Sequence, residues 1–112
     1  MLNFKNKVVV ITGGTRGIGF ETAKAFLEKK ASVIILGSRQ ESVVKAINKL
    51  SDLGHTADGY FPNLNNYEEV ENLFNDLKEK YGKIDVLINN AGISANKKIE
   101  DTTSEEFSKI MD

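Results

Sequence analysis

Between Ile11 and Phe20 the chain reads ITGGTRGIGF, with glycines at 13, 14, 17 and 19 directly after the β-branched run Val8 to Ile11. A glycine turn that leaves a buried strand and opens a helix is suited to binding phosphate. The first N–H groups of the helix have no carbonyl partner within it, and its dipole presents positive charge at that end. In this reading Gly13 turns the chain out of the strand. Gly17 and Gly19 let ligand, helix and strand approach one another without a Cβ between them. Gly14, Thr15, Arg16 and Ile18 complete the loop. A glycine-rich turn with no ligand is the alternative, and the strand–turn–helix setting favours the phosphate reading over it. The loop lacks the Gly-Lys-Ser/Thr ending of a nucleoside-triphosphate loop, which argues against an ATPase or GTPase.

The remaining residues of chemical interest offer less. There is no cysteine and a single histidine, His55, so neither a disulfide nor a metal site is expected. His55 reads as a surface residue opening a strand, and Tyr60, Tyr67 and Tyr81 as core or rim. The charged runs EEVEN and KEK read as solvated helix faces. Fifteen basic against sixteen acidic residues give a net charge of −1, so no overall field favours nucleic acid or an anionic membrane. The opening MLNFKNK is too short and polar for a signal peptide, and no apolar run reaches membrane-spanning length. A cytoplasmic location is the expectation.

Short apolar runs alternate with amphipathic stretches through all 112 residues, which make one domain at most. KVVVIT (7–12) is continuous rather than alternating and predicts a strand buried on both faces. A helix is predicted over 17–30, with Ala23, Ala25, Phe26 and Leu27 as its apolar contribution. SVIILG (32–37) predicts the second strand, and Val43, Ala46, Ile47 and Leu50 the helix after it. HTADGYF (55–61) is a weaker third strand. Val70, Leu73, Phe74, Leu77 and Tyr81 stripe a third helix that Gly82 ends. IDVLI (84–88) is the fourth strand, and Ser104 caps a last helix carrying Phe107, Ile110 and Met111. Strands and helices in strict alternation with short connections predict an α/β fold, a doubly wound parallel sheet of Rossmann type with strand order 3-2-1-4.

The spacing Thr12-Gly13-Gly14-Thr15-Arg16-Gly17-Ile18-Gly19, together with Asn89-Asn90-Ala91-Gly92 directly after the fourth strand, resembles the short-chain dehydrogenase/reductase family. The resemblance covers the whole chain as the N-terminal half of such an enzyme. It is nearest in flavour to the 3-oxoacyl-acyl-carrier-protein reductase and hydroxysteroid dehydrogenase group. It implies a dinucleotide cofactor and, in the full-length parent, a small carbonyl or alcohol substrate and a homo-oligomer.

Which dinucleotide follows from charge. An acid about twenty positions beyond the glycine loop would hold the ribose hydroxyls of NAD and repel a 2′-phosphate. Here the second strand ends in Gly37-Ser38-Arg39, with no acid. Ser38 can donate a hydrogen bond, and Arg39 and Arg16 can meet a phosphate with planar guanidinium groups. Arg39 as a solvated residue at a helix start is the competing reading, and the presence of Arg16 tips the balance to NADP(H). An aspartate at position 37 is then expected to shift preference toward NADH. By the resemblance Asn63 and Leu64 would meet the adenine, although Asn63 reads equally well as a plain turn residue in PNLNN, where relatives often carry aspartate. Asn90, Ala91 and Gly92 would pass beneath the ribose and nicotinamide, while Asn89 ties neighbouring strands. Relatives commonly place glycine just past the first helix, where this chain has Lys30-Ala31.

The resemblance also implies a tyrosine acid/base, a lysine beside it, a serine that orients the substrate oxygen and an asparagine that supports a relay water. None of these has a counterpart in the sequence, so no residue is assigned a catalytic role. The chain by itself is expected to show no carbonyl-reductase turnover. It reads as the truncated N-terminal part of an NADP(H)-dependent oxidoreductase. A genuine short nucleotide-binding or interaction module without turnover is the alternative. Self-association through the edge of strand 84–88 and the helix from Ser104 is the accompanying expectation.

Overall fold

The computed structural model describes residues 3–15 and 17–90. At its centre Val8–Thr12 forms strand β1, in which every residue is buried. Helix α1 (Gly17–Glu28) leads to β2 (Ser32–Leu36), α2 (Gln40–Asp52) to β3 (Asp58–Tyr60), and α3 (Tyr67–Tyr81) to β4 (Val86–Asn89). All pairings are parallel, and the sheet runs β3-β2-β1-β4 as the alternation predicts. The helix expected from Ser104, with Phe107, Ile110 and Met111, lies outside the described residues.

Strand periodicity divides the core between the two faces. Val9, Ile11, Val33 and Ile35 meet Phe20, Ala23 and Leu27 of α1 and Ala46 and Leu50 of α2. Val8, Val10, Ile34 and Leu36 meet Val70, Phe74 and Leu77 of α3. Each Val, Leu, Ile or Phe side chain among them, fully buried, contributes about 1.5–3 kcal/mol, so β1 and β2 anchor everything attached to them. Among the described residues no helix is long and apolar enough to cross a membrane.

The structure corrects the sequence reading in several places. In α1 the inward face is Gly19, Phe20, Ala23 and Leu27, whereas Ala25 is exposed and Phe26 packs edge-on against Phe4. Residues 20, 23 and 27 share one side of the helix at three- and four-residue spacing, and 25 falls on the other. The helix stops at Glu28 rather than Lys30, because Lys30 adopts φ 73°. Its N–H donates to Leu27 O, and that of Ala31 to Phe26 O, the paired bonds of a Schellman ending. A non-glycine residue in that conformation costs about 1–2 kcal/mol, and glycine recovers it less the extra freedom it gives the unfolded chain. Lys30→Gly is accordingly expected to raise stability by up to about 1 kcal/mol. The check is the urea midpoint at unchanged denaturant slope; an unmoved or lower midpoint counts against it.

His55 does not open a strand. Its N–H donates to Leu50 O, closing α2 together with Gly54 at φ 88°, and β3 begins only at Asp58. At the other edge β4 starts two residues later than expected. Asp85 accepts from Val8 N through its carboxylate and donates its own N–H to Val8 O. A side chain thus occupies the position a ladder carbonyl would have taken. That bond to Val8 holds the Asp85 carboxyl below the usual carboxylate range, with smaller help from Lys83. Asp85 is consequently turned toward β1 and does not guard the outer edge of β4.

Lys80, in a run read as a solvated face, pairs with Asp58 at 2.8 Å, and the Tyr81 hydroxyl donates to the same carboxylate. Burial acts to raise the Asp58 pKa, but the hydrogen bonds from Lys80 and Tyr81 outweigh it and hold the group low. Burial and that same bond push the Tyr81 hydroxyl well above its ordinary value. This clasp joins the start of β3 to the end of α3, on the side of the sheet away from the glycine turn.

Candidate functional site

Parallel pairing sets the ends of β1, β2, β3 and β4 along one rim, and the loops that leave them carry the residues singled out in the sequence. Gly13, at φ 68°, turns out of β1 and donates its N–H to Leu36 O at 2.8 Å, which ties the turn to the end of β2. Gly14 is buried, and a Cβ there would lie 2.9 Å from Ile35 Cγ2. Gly19 permits the tightest approach: a Cβ on it would sit 2.0 Å from Gly13 O. The first turn of α1 is thereby pressed onto the end of β1.

Gly17 behaves differently. It has φ 60°, begins α1 and is exposed, and a Cβ added to it would meet nothing within 4 Å. Ile18 beside it is 80% exposed. Among the described residues nothing covers the space beside Gly17, where the first N–H groups of α1 lack carbonyl partners within the helix. Thr15 is half-buried, its Cγ2 close to Gly37. Arg16 lies outside the described residues.

Beyond β2, Gly37 is buried and donates its N–H to Tyr60 O, while Ser38 and Arg39 are exposed. Arg39 takes the N-cap position of α2 with extended backbone, φ −134° and ψ 142°, and its side chain makes no capping bond. No carboxylate among the described residues pairs with it. A guanidinium that no described residue engages thus stands at a helix N-terminus one strand away from the glycine turn. Gly37 cannot gain a side chain freely, however. Its Cβ would fall 2.7 Å from both Thr15 Cγ2 and Val43 Cγ2, so the aspartate considered above alters packing as well as charge.

At the end of β3, Asn63 is exposed and occupied by local structure. Its Oδ1 accepts from Asn65 N, and its own N–H donates to Glu69 Oε1. The turn is capped further by Asn66, whose side chain accepts from Glu69 N. The Asn63 amide NH2 has no partner among the described residues and is left to face a ligand. Leu64 packs against the α3 side of the sheet. At the end of β4, Asn89 has the role expected of it, its Oδ1 accepting from Thr12 Oγ1 at 2.8 Å. Asn90 is exposed and donates its N–H to Thr12 O. Ala91 and Gly92 lie outside the described residues.

The rim thus unites Gly13, Gly14, Thr15, Gly17, Ile18, Gly19, Ser38, Arg39 and Asn90, with Asn63 and Leu64 at its far end. Among the described residues no group of three or more possible metal ligands is present. A cavity of about 820 Å³ also runs along the outer face of α1 past Phe4, Phe26 and Lys49, meeting the rim only at Gly17 and Ile18.

Sequence reasoning missed two glycines, one on this rim and one at the opposite end of α2. Gly37 is a packing requirement, legible only once Val43 and Thr15 are known to converge on it. Gly54 ends α2, and its position just after the apolar helical run was a sufficient signal.

The model of the short chain dehydrogenase family matches residues 7–112. A 3alpha-hydroxysteroid dehydrogenase of Mediterraneibacter gnavus is 46% identical over 110 residues, 96% of this chain and 44% of the relative. An NADP-dependent (R)-specific alcohol dehydrogenase of Lentilactobacillus kefiri is 37% identical over 109 residues, covering 96% and 42%. The crystal structure of 2-keto-3-deoxy-D-gluconate dehydrogenase from Streptococcus agalactiae superposes with a TM-score of 0.78 at 30% identity, over 97% of this chain and 41% of that one. The chain therefore spans less than half the length of the relatives it matches. Glycine turn, sheet order and kinship agree, and the chain belongs to the short-chain dehydrogenase family, oxidoreductases that work with a nicotinamide dinucleotide.

Proposed function

We propose that this chain forms the NADP(H)-binding part of a short-chain oxidoreductase acting on a carbonyl or secondary alcohol. The observation that carries the reading is the α1 N-terminus at Gly17, uncovered among the described residues and framed by Gly13, Gly14, Thr15, Ile18 and Gly19. A pyrophosphate would accept from the leading N–H groups there, with the helix dipole in support. Bound in this way, the nicotinamide would supply the hydride chemistry. The chain's own part is to hold the phosphates, direct the adenosine toward β2 and β3, and lay Asn90, Ala91 and Gly92 beneath the other end.

The preference for a 2′-phosphate is supported by Arg39 and Ser38, both exposed at the end of β2, and by the absence of an acid there. The Lentilactobacillus relative, named for its NADP dependence, lends further support. The hydroxysteroid dehydrogenase of M. gnavus supports a ketone or secondary alcohol as the substrate class.

Calorimetric titration with NADPH and NADH tests the reading. Tighter NADPH binding is expected, and equal affinities or tighter NADH would defeat it. Arg39→Ala should weaken NADPH about tenfold or more, the value of a charge-assisted hydrogen bond of roughly 1.5–3 kcal/mol, and leave NADH unchanged.

A further inference from the structure

Phe61 is half-exposed, at 50%, although it directly follows a strand of the sheet. Its place is fixed from two sides. Tyr60 pairs in register with Leu36, and Tyr60 O accepts from Gly37 N at 3.0 Å, so Phe61 stands across from Gly37 on the loaded rim. Alternation along β3 puts Phe61 on the same face as Gly59, whose Cβ position lies 2.4 Å from Val43 Cγ1 of α2. Tyr60 and Leu36 turn to the opposite face, toward α3. Phe61 thus belongs to the α2 side of the rim, beside the segment that carries Ser38 and Arg39.

We propose that Phe61 is the stacking surface for the adenine ring. This rests on the dinucleotide reading above. With phosphates at the start of α1 and a ribose at Ser38-Arg39, the base is the next group outward, carried from β1 toward the strand end that Phe61 follows. Asn63 keeps its side-chain NH2 for the edge of the base, since its Oδ1 accepts from Asn65 N and its backbone N–H donates to Glu69. An aromatic face supplies what remains, because a purine stacks on it without a directional hydrogen bond. Tyr67, also 50% exposed, is the other aromatic near this turn, but its hydroxyl donates to Glu71 one helical turn along and ties the ring to α3.

Adenine is common to both dinucleotides, and this separates Phe61 from Arg39. Phe61→Ala and Phe61→Leu are expected to weaken NADPH and NADH by the same factor, roughly five- to 150-fold, the range of one base–aromatic stack. Phe61→Trp should retain the parent affinity. Because Phe61 is half in solvent, the thermal midpoint of each variant should stay near that of the parent, and the leucine variant preserves bulk should alanine disturb the fold. Parental affinity for both dinucleotides in the alanine and leucine variants would overturn the stacking role and leave the dinucleotide reading standing. Loss confined to NADPH would also overturn it, placing Phe61 at the phosphate instead of the base. If the parent chain binds neither dinucleotide, both proposals fall.

Discussion

Gly19→Ala is expected to cost the chain about 3 kcal/mol or more, the upper range of overpacking penalties, because the clash is with main chain. The new Cβ would lie 2.0 Å from Gly13 O and 2.8 Å from Gly13 C, where real Cβ contacts essentially never fall below 3.0 Å. A side chain can swing away from an intruder. Gly13 cannot, because its N–H is bound to Leu36 O and its neighbour Thr12 lies in the buried central strand. Relief would require α1 to lift from the sheet, opening the contacts of Phe20, Ala23 and Leu27. With typical domain stabilities of about 5–15 kcal/mol, that loss is a large fraction of the total. Gly17→Ala provides the comparison. Among the described residues its Cβ meets no atom within 4 Å, and its φ of 60° costs about 1–2 kcal/mol. Urea unfolding of the two variants decides the matter: a Gly19 variant as stable as the Gly17 variant would mean that α1 and β1 are not so closely pressed.

Gly37→Asp should produce two effects that can be read separately. Its Cβ would press on Thr15 Cγ2 and Val43 Cγ2, both on β-branched side chains with little freedom at χ1. Crowding of this kind costs about 1–3 kcal/mol, offset in part by up to about 1 kcal/mol for an acid near the start of α2. The unfolding midpoint is therefore expected to fall. In the fraction that remains folded, the carboxylate would stand beside Ser38 and Arg39, repel a 2′-phosphate and accept from ribose hydroxyls. The NADPH-to-NADH affinity ratio should drop by about tenfold or more, as expected for loss of a charge-assisted contact. An unchanged midpoint would refute the packing account of Gly37. A reduced midpoint with an unchanged ratio would refute the NADP(H) account and leave the packing intact. The sequence alone anticipates only the change in preference.

The alternation of apolar runs and amphipathic stretches was enough to determine the α/β class and a doubly wound sheet, and the order expected for it, β3-β2-β1-β4, is the one found. A strand such as Val8–Thr12, apolar without alternation, has to be covered on both faces, and short crossovers allow few ways of doing so. The glycine spacing was likewise legible, because a helix start and a close main-chain approach each demand a particular residue type. That Asn89 ties neighbouring strands came from the family resemblance, and its bond with Thr12 bears it out. What only the tertiary structure decided were the places where distant residues compete for one space or one hydrogen bond. Whether Gly37 is free or confined depends on Val43 and Thr15, which no local pattern relates to it. The late start of β4 depends on the Asp85 carboxylate reaching Val8, seventy-seven residues away in the chain. His55 was drawn from a strand to the end of α2 because Gly54, at positive φ, turns the chain so that the His55 N–H reaches Leu50 O, which also accepts from Leu53 N. The exposure of Phe61, read from sequence only as the last residue of the third strand, belongs to the same class, since the sheet decides which face remains uncovered. Local pattern fixes what a segment must bury, whereas the partners that bury it, and the groups left facing the rim, are set by the packing of the whole sheet.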